Sequence, residues 1–117
     1  MNRSPLRRIS ARRLEETWLY CYRRKQFLLA HPYCQVWLAE HGVVEAEAIR
    51  AGGQVRPNGP EGPLSVVPLA IQIHHANKRR GADLLDQHYW LAVSREAHEQ
   101  IESNKAWARA QGYLLDF

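Results

Sequence analysis

Residues 71–75 and 89–94 read Ile71-Gln72-Ile73-His74-His75 and Tyr89-Trp90-Leu91-Ala92-Val93-Ser94. Both stretches are short and apolar, with the β-branched and aromatic side chains that suit a strand. Between them, Ala76 to His88 is polar and contains Gly81, which predicts a loop. Ser94 is a good N-cap with Ala97 three residues on, so a helix is expected from about Arg95 to Glu102 or Ser103, capped without a full capping box. Asn104 then caps a last helix, Lys105 to Gln111, which Gly112 stops. The tail from Tyr113 to Phe117 is apolar enough to pack back on the core.

Upstream, the pattern is helical. Residues 1–8 read as a flexible basic arm. From Ile9 to Ala30, Leu14, Trp18, Cys21 or Tyr22, and Leu28 or Leu29 recur at helical spacing, which predicts a buried stripe. His31-Pro32 ends this helix, because proline disfavours helical backbone in the residue before it. A short helix is expected from Tyr33 to Glu40 or His41, stopped by Gly42, and another turn or two from Val43 to Ala51, stopped by Gly52-Gly53. Pro57 to Pro63 is dense in turn formers, so residues 54–69 read as a hairpin or exposed loop inserted on the scaffold. The plan is an α+β fold: the arm, then one domain over 9–117, with a helical segment 9–53, the insertion 54–69 and a core with closing helix over 70–112. Trp18, Trp37, Trp90 and Trp107 sit in apolar patterns and are expected in the core.

At 117 residues, with 45% hydrophobic and 24% charged residues, one ordinary globular domain is the natural reading. No apolar run approaches the roughly 20 residues that span a bilayer, and no signal peptide is read, so no membrane and a cytoplasmic location are expected. Cys21 and Cys34 are too few for a disulfide framework and form no CxxC pair, which predicts two buried thiols. Residues 1–30 hold eight Arg and Lys against two Glu, a net of +6, whereas the whole chain is +4. A basic arm or helix ahead of a near-neutral body suits a nucleic-acid backbone.

The histidines carry the chemistry. A doublet ending an apolar strand can hold a metal with one imidazole and take a proton from water with the other. Adjacent strand residues point to opposite faces, so both serve one site only where the strand ends and the backbone turns. The basic run Lys78-Arg79-Arg80 beside the doublet supplies contacts for phosphates, and Arg12 and Arg13 can extend that track.

Strand, loop, strand and helix, with His74-His75 at the first strand's end and His98 on the helix, resemble the HNH endonuclease family over roughly residues 70–112. The closing pattern His98-x-x-Ile101-Glu102-x-Asn104-x-x-Trp107-Ala108-x-x-x-Gly112 looks like the small phage-type members. The resemblance implies a ββα-metal motif that clasps one divalent cation, Mg²⁺ or Mn²⁺, with Zn²⁺ or Ni²⁺ as alternatives. By position it makes His74 and His98 metal ligands and His75 the general base. The family's usual Asn falls on Tyr89, so bracing of the loop passes to Asn77, Asp83, Asp86 or His88. A further histidine in some relatives falls on Glu102, read as a ligand or, preferably, as a solvated helix glutamate. Many relatives bind a structural zinc through two CxxC pairs; here the four places read Cys34, Trp37, Ser94 and Ala97, so no structural zinc is expected and packing around Trp37 replaces it. His31, His41 and His88 read as structural, and Asn104 as a cap. The implied activity is metal-dependent hydrolysis of DNA phosphodiesters in phage or prophage DNA processing, with DNA and packaging or recombination proteins as partners. The alternative is a catalytically degenerate nucleic-acid-binding domain, or a domain that docks on a phage machine.

Overall fold

The computed structural model describes residues 11–76 and 87–115. The arm expected over 1–8 lies outside them. Helix α1 spans Ala11–Ala30 and stops where His31-Pro32 forbids a further turn. Its packing face is not the expected one. Tyr20 and Phe27 set their rings edge-on against Trp90, at 5.7 and 5.4 Å between centroids. At about 100° per residue these two share one side of the helix, and positions 18, 22 and 29 fall on the other. Trp18 is accordingly 72% exposed, and Tyr22 and Leu29 are exposed with it. Cys21 is exposed as well. The readings of Trp18 as core and Cys21 as a buried thiol are therefore corrected: aromatic contact with Trp90 rotates the helix away from them.

Two short helices follow, α2 (Gln35–Glu40) and α3 (Glu45–Arg50), separated by Gly42 in the left-handed region at φ 66°. The Ala92 N–H donates to Gln35 Oε1 at 2.8 Å and fastens α2 to the sheet described below. Gly53 has φ 83°, and a Cβ there would come within 2.6 Å of the Tyr33 ring, so only glycine fits. Beyond it, β1 (Gln54–Val55) pairs antiparallel with β2 (Ser65–Val66). Leu38, Ala48 and Val67 form a small core beneath, flanked by Tyr33, Trp37, Val43 and Val55.

Strand β3 (Gln72–His75) pairs antiparallel with β4 (Trp90–Val93), His74 opposite Leu91 and His75 opposite Trp90. A single 3₁₀ turn, Gln87–Tyr89, leads into β4. Ser94 caps α4 (Arg95–Ser103) by accepting from the Ala97 N–H at 3.2 Å. Asn104 caps α5 (Lys105–Gln111) by accepting from the Trp107 N–H at 3.3 Å. Gly112, at φ 84°, then turns the chain so that Tyr113 enters the core and Leu115 N–H donates to Ala76 O at 2.9 Å. The main core joins Cys34 and Val36 before and within α2, Val93 of β4, Ala97 and Ile101 of α4, Ala108 of α5, and Tyr113. Among the described residues, helices combine with two small antiparallel sheets in an α+β arrangement. No helix among the described residues is long and apolar enough to cross a membrane.

Candidate metal centre

Position 74 lies on the face of the hairpin turned toward α4 and the returning tail. His74 is only 4% exposed. Its Nε2 lies 2.7 Å from Tyr113 O. A carbonyl can only accept, so Nε2 carries the proton and the lone pair stays on Nδ1. A backbone acceptor fixing the tautomer of an imidazole is the usual support behind a metal-ligating histidine. Burial above all, with His98 adding to it, holds the His74 imidazole below its usual 6.5, against the opposing pull of the Tyr113 hydrogen bond and Glu102. A neutral ring is the form that binds a cation.

Helix α4 supplies the other donors. Residues four apart on a helix share a face, and His98 Nε2 lies 3.6 Å from Glu102 Oε1. The His98 ring stands 5.5 Å from that of His74. One donor atom from each of His74, His98 and Glu102 falls within 4.8 Å of the others, a set able to hold a metal ion. His98 is partly exposed and Glu102 more than half exposed, so the set is buried on the strand side and open to solvent on the helix side. Glu102 thus stands beside the histidines and is solvated at the same time. Tyr113, which orients His74 through its carbonyl, has no counterpart in the sequence reading, because a backbone acceptor leaves no mark on residue type.

His75 is not brought to this cluster. Strand pairing continues through it, so alternation turns its side chain to the opposite face, toward α1. There its ring stacks on Tyr20 at 5.8 Å and meets Trp90 edge-on at 5.7 Å. Its Nε2 is 3.4 Å from Tyr20 Oη. Tyr89, expected in the place of the motif's usual Asn, sits in the 3₁₀ turn just ahead of β4, and its carbonyl accepts from the Ala76 N–H at 2.9 Å. It thus ties the residue ahead of β4 to the residue after the doublet through its backbone. Asn77, Asp83, Asp86, Lys78, Arg79 and Arg80 lie outside the described residues, as do the side chains of Arg12 and Arg13. His31 pairs with Glu45 at 2.9 Å and His41 Nδ1 lies 2.8 Å from Trp37 O, both structural contacts.

Cys34, Trp37, Ser94 and Ala97 come from segments far apart in the chain, yet all four line one cleft. Cys34 and Ala97 belong to the same core cluster, and Trp37 packs against it. Comparison of the chain with protein-family models, with curated proteins and with solved structures gave no match.

Proposed function

We propose that this protein is a metal-dependent DNA endonuclease of the HNH type, with a ββα-metal centre built from β3, β4 and α4. The observation that carries the reading is the meeting of His74, His98 and Glu102 across the hairpin and the following helix. The convergence of positions 34, 37, 94 and 97 in one cleft supports it, since those are the places that hold zinc in many proteins the chain resembles.

His74 and His98 would hold the cation, Glu102 would complete the donor set, and the remaining positions would stay open for water and a phosphate oxygen. Two imidazoles and a carboxylate suit Mn²⁺, Zn²⁺ or Ni²⁺ better than Mg²⁺, which prefers oxygen ligands. When bound, such an ion would offset the negative charge that builds on the phosphate and on the leaving oxygen. His75 would take a proton from the attacking water. Because His75 faces α1 and His74 faces α4, a phosphate served by both must lie at the end of β3, where the two faces meet. Tyr20, stacked on His75, fixes where that imidazole sits. Lys78, Arg79, Arg80, Arg12 and Arg13 would hold flanking phosphates.

A second reading, a nucleic-acid-binding domain without catalysis, is favoured by the separation of His75 from the donor cluster. Nicking of supercoiled plasmid with Mg²⁺, Mn²⁺, Ni²⁺ or Zn²⁺, against chelator, separates the two. Cleavage that needs metal and is lost in both His75→Ala and His98→Ala supports the nuclease. DNA binding with no cleavage under any metal selects the second reading.

A further inference from the structure

The cleft between α2, the start of α4 and Trp107 has a volume of about 500 Å³ and opens to solvent. Its floor is buried and largely apolar, and the indoles of Trp37 and Trp107 form part of its walls. At its mouth stand Glu40 and Glu96, and among the described residues neither Lys nor Arg lines it. The chain carries +4 overall, so this cleft opposes the sign of the whole molecule. Neither carboxylate is paired with a Lys or Arg among the described residues. The Glu40 carboxylate lies near the Tyr113 hydroxyl. His41 stacks on Trp37 at 3.9 Å and steadies the indole.

We propose that this cleft binds the guanidinium of an arginine carried on a peptide segment of a partner protein. A guanidinium is planar, stacks on indole, and presents paired N–H donors to a carboxylate. An apolar floor accommodates its methylene stem. The carboxylates at the mouth repel phosphate, so nucleic acid is the wrong occupant. Glu96 and Gln100 lie on the side of α4 turned away from His98 and Glu102, about half a turn round the helix. Occupancy of the cleft therefore leaves the histidine cluster open, and the proposal stands or falls independently of the nuclease reading.

The test is titration of the ¹⁵N-labelled full chain with acetyl-Gly-Arg-Gly-amide, beside the uncharged citrulline analogue, reading the indole N–H signals. The arginine peptide should move the Trp37 and Trp107 signals saturably and leave those of Trp18 and Trp90 in place. Citrulline should bind more weakly, and Glu40→Gln with Glu96→Gln should weaken the arginine peptide roughly fivefold, the loss expected for exposed charge pairs. Equal binding of the two peptides, or unchanged affinity in the double variant, would overturn the proposal. So would a duplex oligonucleotide that moves the same two indoles.

Discussion

The His74 and His98 rings stand 5.5 Å apart, one buried on β3 and oriented by the Tyr113 carbonyl, the other at the solvent edge of α4. Removing either imidazole should cost more cation affinity than the ~10–100-fold typical of losing an outer supporting partner. His98→Ala is the cleaner variant, because that side chain is partly exposed and its loss leaves the core intact. Glu102→Gln should weaken binding less. Titration calorimetry, or Co²⁺ absorption as a probe of the donor set, gives the ranking. Unchanged affinity in His98→Ala would remove the site.

Acid should destabilise the metal-free fold through His74. Burial lowers its pKa below 6.5, so the unfolded chain takes up the proton first as pH falls. The contribution of this residue is intact above 6.5 and is lost as pH drops from there toward the folded value. Thermal melting in chelator, followed downward through that range, should show a steeper loss in the parent chain than in His74→Gln. Parallel profiles would assign the acid sensitivity elsewhere.

The caps and core that set α4 against the hairpin should be measurable one at a time. Ser94→Ala removes the acceptor for the Ala97 N–H and should cost about 1 kcal/mol in urea denaturation. Ile101, 1% exposed between His98 and Glu102, should cost about 2–5 kcal/mol as Ile101→Ala. The same variant should loosen cation binding, because α4 then loses its seat beneath both ligands.

Gly53→Ala combines a left-handed backbone with a Cβ 2.6 Å from the Tyr33 ring. It should cost more than about 1 kcal/mol, whereas Gly42→Ala, with open space around it, should cost less. Chemical denaturation of the pair separates strain from crowding. Equal losses would mean that Tyr33 gives way freely.

If the N-terminal arginines touch phosphate, deleting residues 1–13 should flatten the dependence of DNA affinity on salt. The log–log slope should fall by about 0.9 for each arginine removed from phosphate contact. An unaltered slope would remove the arm from the DNA track.

Local signals were strong enough to locate most elements. His31-Pro32, Ser94, Asn104 and the glycines at 42, 53 and 112 act within a residue or two of themselves, so the helix ends they set are legible in the chain. The β3 and β4 stretches announced themselves by composition, within one residue of their observed ends. The i, i+4 spacing of His98 and Glu102 on one helix face was also legible, whereas the doublet was expected at a backbone turn that would give both imidazoles to one site, and that expectation failed. What the sequence determined alone was therefore the order of elements, their caps, and which residue types are capable of the chemistry.

Only the tertiary structure decided which faces meet. The side of α1 that packs follows from Tyr20 and Phe27 finding Trp90, and a helix with apolar residues on two sides cannot state that preference by periodicity. The turn at Gly112 brings the Tyr113 carbonyl onto His74, a backbone contact that no residue type encodes. The strand runs straight through the doublet, so the two histidines part, and Glu102 joins His74 because α4 packs its His98 face against β3. Distances across packed elements depend on the whole core, and a local pattern carries no information about them.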